Sequence, residues 1–255
     1  DGLFWFFIAK SHNPQLGLLL SDNIVLNNIL AVNASGFAYM ANSCKNLKIN
    51  KVHLKPEGNR IATAPRDGFK LNSITGEVII NDLILDGCND DGINAHSIPF
   101  KVLKKFNDKV ITLKVAGWKF HMHDNLSQRG IKFGDKVKFL NTSKGTIIHR
   151  ATIKKSKLLN KSYILTFENS LPEEIKEGTI ASINSFTIDN LKISNSKFQN
   201  ISGNGIVVAI EKAHIENSVF EYINGKGIIV GSGFNPPWYD SYEVTIPDEV
   251  DIVNN

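Results

Sequence analysis

A short motif recurs through the chain, and its length leaves few folds open. Each copy has an apolar-x-apolar unit, a polar pair and a second apolar-x-apolar unit. A variable turn follows, then a glycine that opens another short apolar strand. Copies begin at Ile24, Leu47, Val78, Leu191 and Ala213, with glycines assigned at Gly36, Gly68, Gly92, Gly205 and Gly227. The apolar residues alternate at period two, which specifies strands and not helices. Repeats of roughly 22 to 32 residues built only from short strands and turns predict a parallel β-helix, in which stacked coils bury a continuous core. Leucine-rich repeats share that length, but their leucine framework and helical return are absent. The polar pairs are Asn27-Asn28, Asn50-Lys51, Asn81-Asp82, Ser194-Asn195 and Glu216-Asn217. Asparagine recurring there predicts a side-chain ladder at a tight bend that tolerates left-handed geometry. The apolar run from Leu3 to Ile8 reads as a further core strand, too short to span a membrane and without the flanks of a signal peptide.

The repeat breaks once. Residues 1–98 and 182–255 carry coils, and residues 99–181 do not. Phe100–Leu103, Val110–Val115, Asp135–Phe139, Thr146–Ile148, Ala151–Ile153 and Ser162–Phe167 read as strands joined by polar turns, an antiparallel barrel or sandwich. The fold class is therefore all-β: a right-handed parallel β-helix with a small inserted barrel. The insertion follows the coil bearing Asp90 and Asp91, so it is expected beside them, with Gly117–His123 overhanging. The net charge is only +4 and the lysines are dispersed, a solvated surface and not a nucleic-acid footprint. Cys44 and Cys88 have no CxxC spacing and no ligand-like histidines, which argues against zinc; they pair in an oxidising compartment or remain buried thiols. The last repeat breaks off without a cap, so further coils or a cover are expected at the ends.

The stretch from Ala64 to Ile98 holds the candidate chemistry. Asp67 precedes Gly68, Asp90 and Asp91 precede Gly92, and Asp67 and Asp91 lie 24 residues apart, one coil. Stacked coils put the two carboxylates in one column, about 4.8 Å apart at the backbone. By the glycine alignment the column reads Ser35, Asp67, Asp91, Asn204, Lys226. Asp90 is expected on a diagonal. Lys70, Asn72, Asn94 and His96 face outward, and Phe69, Leu71, Ile93 and Ala95 face inward. Asp-Gly is common turn chemistry, but two in register with a third acid adjacent are costly unless a proton or cation is shared. Glycoside hydrolysis wants one protonated and one ionised acid. Calcium is the competing use of such a cluster, and Lys70 and His96 weigh against it.

These residues resemble a known family. The Arg66-Asp67-Gly-Phe-Lys-Leu coil, the Asn89-Asp90-Asp91-Gly-Ile-Asn94-Ala-His96 coil, the insertion that follows and the late Trp238-Tyr239-Asp240 segment are similar to glycoside hydrolase family 110, the α-1,3-galactosidases. The Gly-His-Gly and Arg-Ile-Lys segments of polygalacturonase-like β-helix enzymes are not found. The resemblance implies an inverting exo-hydrolase of terminal α-linked galactose, secreted or periplasmic, without metal or other cofactor. Its partner is a glycan substrate, with no nucleic acid and no membrane span. It also implies Asp67, Asp90 and Asp91 as catalytic, with Asp67 the general acid and the other two orienting water. Arg60, Lys70, Asn94, His96, Asn204 and Trp238 become candidates for holding the sugar. The chain departs from the family pattern at Lys70, where histidine is usual, and at Ser202–Gly205. Inverting enzymes hold their carboxyl groups roughly 6.5–9.5 Å apart, a gap the Asp67–Asp90 diagonal is expected to fit. The alternatives are a non-catalytic glycan-binding β-helix, such as a tailspike-like adhesin or an inactive enzyme relative, and a polygalacturonase-like inverting hydrolase.

Overall fold

In the computed structural model the described residues are 11–116, 130–231 and 245–255. The expected strand at Leu3–Ile8 lies outside them. The first coils comprise β1 (Leu16–Leu19), β2 (Asp22–Val32), β3 (Tyr39–Asn42), β4 (Lys45–Lys55), β5 (Phe69–Asn72), β6 (Thr75–Cys88) and β7 (Ile93–His96). The insertion contributes β8 (Phe100–Lys105), β9 (Val110–Val115), β10 (Lys136–Asn141), β11 (Thr146–Leu159), β12 (Ser162–Phe167) and β13 (Ile180–Ile183). The coils resume with β14 (Asn190–Ser194), β15 (Lys197–Ile201), β16 (Ile206–Ala209), β17 (Lys212–Glu216), β18 (Val219–Ile223), β19 (Ile228–Val230) and β20 (Glu249–Val253).

The parallel β-helix is present. One sheet runs β1-β3-β5-β7-β16-β19, all parallel. The stack continues across the insertion: β16 pairs with β7, with Val207 opposite Asn94 and Ala209 opposite His96. β6 pairs with β14 through its first half and with β15 through its second, because each long strand turns a corner that later coils break. The inward positions Phe69, Leu71, Val78, Ile80, Leu83, Leu85, Ile93 and Ala95 are all buried in one core. Tyr39 stacks on Phe69 with ring centroids 4.6 Å apart, and Phe198 stacks on Phe220 at 4.9 Å. Such stacks follow from identical register in successive coils.

The polar pairs make the corner. The second member of each pair (Asn28, Lys51, Asp82, Asn195, Asn217) has φ between 49 and 55°. The first members form the ladder. Asn50 Nδ2 donates to Asn27 Oδ1 at 2.8 Å, and Asn81 Nδ2 donates to Asn50 Oδ1 at 3.0 Å. Asn81 Oδ1 accepts from Ser194 Oγ at 3.0 Å and Asn195 Nδ2 at 2.9 Å. Bend and ladder are thus divided between the two residues: left-handed backbone at one, side-chain bonding chiefly at the other.

The insertion is a closed barrel in the order β10-β11-β12-β9-β8-β13. Its own core includes Phe100, Phe139, Phe167 and Phe186. Polar contacts fix it to the coils. The buried Lys138 ammonium donates to Glu211 and to the Ile246 carbonyl, and lies 3.0 Å from Asp248. Arg150 meets Asp248 at 2.6 Å. Three buried hydroxyls bridge both crossings between the units, Thr245 meeting Ser97 at 2.6 Å and Ser182 at 2.7 Å. Burial pushes the Glu211 carboxyl up, although Lys138 opposes this. Burial would also raise Asp248, but hydrogen bonds from Arg150, Lys138 and Glu211 outweigh it and hold the group at about 2.

Two outcomes follow. Asn81→Ala removes three ladder bonds, leaves half-buried partners unmet and is expected to cost about 1–3 kcal/mol in chemical denaturation. Because Asp248 is depressed in the folded state, its contribution is complete above the ordinary carboxylate range and fades as pH falls towards about 2. The melting-temperature gap between the wild type and Asp248→Asn is therefore expected to be widest above about pH 4 and to close on acidification.

Candidate active site

The acids sit on the turn that leads into the six-stranded sheet. Gly68 N donates to the Asp91 carbonyl at 3.0 Å, Gly92 N to the Asn204 carbonyl at 2.8 Å and Gly205 N to the Lys226 carbonyl at 2.8 Å. Asp67, Asp91, Asn204 and Lys226 therefore form one column, as the repeat predicts. The first coil departs from the expected alignment. Ala38 N donates to the Asp67 carbonyl at 3.2 Å, so Phe37 and not Ser35 precedes Asp67 in the column. Gly36 serves another contact: a Cβ there would lie 2.3 Å from the Asn13 carbonyl oxygen.

The glycines after the acids are required by stacking, not by turn geometry. A Cβ on Gly68 would come within 2.4 Å of Leu85 Cδ1 and 2.7 Å of the Gly92 carbonyl oxygen. On Gly92 it would come within 2.5 Å of the Gly205 carbonyl oxygen. The coils touch backbone to backbone here, and this holds the carboxylates close. One oxygen from each of Asp67, Asp90 and Asp91 lies within 4.8 Å of the others. Asp90, one position off the column as expected, is part of the cluster, and its oxygen approaches Asp67 more closely than the expected gap.

The surroundings of the acids differ. Asp91 Oδ1 accepts from the Asn204 backbone N–H at 2.9 Å and from Asn204 Nδ2 at 2.8 Å; Asp91 Oδ2 accepts from Asn94 Nδ2 at 3.1 Å. An ionised carboxylate only accepts, so three donors suit it. Asp67 is 3% exposed, has Phe37 before it and Asp91 after it in the column, and lies 3.6 Å from the Lys70 ammonium. Asp90 is half-buried.

Lys70, Asn94 and His96 point away from the core, as expected, yet Asn94 and His96 are buried, at 4% and 8% exposure. His96 Nδ1 lies 3.1 Å from the Ser97 carbonyl oxygen. Asn204, expected to hold sugar, holds Asp91, and its own Oδ1 accepts from Lys226 N at 3.1 Å. Arg60 is exposed on the excursion between β4 and β5, and makes no hydrogen bond or ion pair among the described residues. Trp238 and Gly117–His123 lie outside the described residues.

Two contributors, Gly203 and Arg66, escape a reading of sequence. Gly203 leaves room for the acids, since a Cβ there would sit 2.6 Å from the Asp90 carbonyl carbon and 2.9 Å from Asp91 Oδ1. Arg66, next to Asp67, places its guanidinium 5.2 Å from the Phe37 ring centroid and donates to the Ser11 carbonyl at 2.9 Å. Cys88 is a buried free thiol, as is Cys44. Burial pushes the Cys88 thiol well up, and the charges of Asp67, Asp86 and Asp90 push it further, so it remains a neutral thiol near the acids. The one available signal was position: Gly203 is the column neighbour of Asp90.

The fold and site are thus a parallel β-helix with a cluster of three acids, one of them oriented by amide donors. Comparison with known proteins narrows this. No family model matches the chain. It is 24% identical over 248 residues to a Shewanella woodyi protein named alpha-1,3-galactosidase A, covering 95% of this chain and 39% of that protein. It is 27% identical over 190 residues to alpha-1,3-galactosidase B of Parabacteroides distasonis, covering 70% and 29%. It is 23% identical over 217 residues to alpha-1,3-galactosidase A of Streptomyces avermitilis, covering 80% and 34%. These likenesses, at 23–27% identity, support an assignment of the glycoside hydrolase family 110 type. It spans about a third of the length of the relatives it matches.

One outcome tests the column. Asn204→Ala removes a side-chain donor from Asp91 and the acceptor of Lys226 N, and is expected to cost about 1–2 kcal/mol by denaturant titration. Gly203→Ala is expected to cost more, because backbone and not a flexible side chain must move.

Proposed function

We propose that the chain is the catalytic part of an exo-acting hydrolase of terminal α-linked galactose that works by single displacement. The observation that carries the reading is the Asp67–Asp90–Asp91 cluster with its unequal surroundings. At an effective dielectric near 20, two carboxylates 4.8 Å apart repel by about 3.5 kcal/mol. Each of the three acids faces two such neighbours; Asp67, the most deeply buried at 3% exposure, also has the Lys70 ammonium at 3.6 Å. Partial exposure of Lys70 weakens that attraction. Burial disfavours the ionised form, so the proton shared by the cluster is assigned to Asp67, which then serves as general acid to the leaving oxygen. Asp91, under three amide donors, serves as base with Asp90 beside it. Two oxygens up to 4.8 Å apart bracket one water, since each hydrogen bond spans about 2.5–2.8 Å. The approach is closer than the roughly 6.5–9.5 Å of inverting enzymes and nearer the roughly 5–5.5 Å of retaining ones, so single displacement rests on the family resemblance and not on this spacing. Secretion or periplasmic export belongs to the same proposal, because such glycans lie outside the cell.

The test is proton NMR of α-1,3-galactobiose hydrolysis. β-Galactose is expected first; α-galactose first overturns single displacement. Binding without release, unchanged in Asp91→Asn, overturns the hydrolase in favour of a glycan-binding β-helix. Asp91→Asn is expected to lower kcat about 10²–10⁴-fold with any leaving group. Asp67→Asn is expected to lose a comparable factor on the disaccharide, much less on a nitrophenyl galactoside, and to melt no lower than the wild type. If Asp90→Asn is spared by the activated substrate instead, the proton belongs to Asp90.

A further inference from the structure

Charge is divided sharply between the two units. Residues 99–181 hold 17 Lys and Arg against 7 Asp and Glu, a net +10; the remainder holds 12 against 18, a net −6, and the two give the chain's +4. The barrel collects this charge on one wall. Strands β8, β9, β12 and β11 are consecutive neighbours and contain no acidic residue. Val102, Ile111, Leu113 and Leu165 face the barrel core, so the alternate positions face out. Lys101 stands opposite Lys114, and Lys104 opposite Thr112. Thr112 stands opposite Ile164, and Ile164 opposite Lys157; Lys155 stands opposite Thr166 one row on. Four strands at about 4.8 Å and rows about 6.7 Å apart put five exposed lysines on a patch about 14 Å across. None of the five makes an ion pair among the described residues. Like charges directly opposite one another destabilise a sheet, and the Lys101–Lys114 pair serves no packing need.

We propose that this wall is a docking face for an anionic polysaccharide bearing carboxylate or sulfate groups. The choice of polymer rests on the glycan-hydrolase reading; the existence of a polyanion face does not. Lysines act as separate point charges, which suit acidic groups spaced along a chain. Arginine, whose fork grips carboxylate or phosphate through paired hydrogen bonds, is absent from the five, so the wall offers point charges only. Phe106, exposed at the β8–β9 turn with Lys104 Nζ 5.0 Å from its ring centroid, adds an apolar surface for a sugar face beside a charge. The face lies on the barrel exterior, so binding there holds the protein on the polymer without occupying the acid cluster.

The test is titration of the 255-residue chain with heparin and with polygalacturonate, with dextran as the neutral control. Binding to both polyanions, none to dextran, and a steep loss of affinity with added salt are expected. Lys155→Glu with Lys157→Glu is expected to weaken binding roughly tenfold or more and to flatten the salt dependence. Lys48→Glu with Lys55→Glu, the same net change on the coils, is expected to leave binding within about twofold. Far-ultraviolet circular dichroism checks that each variant folds. No retention at low salt overturns the proposal, as does equal weakening by the two double variants. Tighter binding to anionic lipid vesicles or duplex DNA than to either polysaccharide overturns the assigned partner. Galactose release is a separate readout, so a failed hydrolase reading leaves this result standing.

Discussion

The coils of this protein meet backbone to backbone at the turn that carries the acids. Gly68, Gly92 and Gly205 each present a bare Cα to the carbonyl of the next coil, at distances that no side chain tolerates. Everything at the site depends on this contact. It sets the column, and the column brings Asp67, Asp90 and Asp91 within 4.8 Å of one another. A looser turn would let the carboxylates splay and be rid of their repulsion. Here the repulsion is retained because the surrounding register of the sheets, fixed by the core, is worth more than the strain at one turn.

Electrostatics then separates the acids by neighbour and not by residue type. Asp91 receives amides from Asn204 and Asn94. Asp67 receives an aromatic neighbour on one side and a second acid on the other, with Lys70 as partial relief. Similar carboxylates in unlike surroundings are the usual basis for dividing acid and base roles. On a larger scale the negative coils and positive barrel attract, and that attraction is made specific where Lys138 reaches into Glu211 and Asp248.

Much of the fold was legible because its physics is local and periodic. Alternation of apolar residues gave the strands, the spacing of the motif gave the coils, and the polar pairs gave both the ladder and the left-handed corner. The barrel was visible as a break in period. The alignment misled there because glycine has more than one use: Gly36 makes room for the Ser11–Asn13 backbone, so Phe37 takes the column position. Direction was easier to read than exposure. Asn94 and His96 point out of the coil as alternation requires, yet they are buried, because alternation says nothing about what lies above a strand.

The sequence by itself determined the parallel coils, the place of the insertion and the alignment of Asp67 with Asp91, since each follows from a spacing along the chain. Tertiary structure alone decided how closely Asp90 approaches Asp67, that Asn204 turns to Asp91 and that Gly203 clears the space for the acids. Tertiary structure also gathered lysines dispersed along four strands onto one wall. The physical reason is common to all four. A period fixes which residues share a column, but side-chain direction, backbone approach across coils and the meeting of distant strands depend on contacts between residues far apart in sequence.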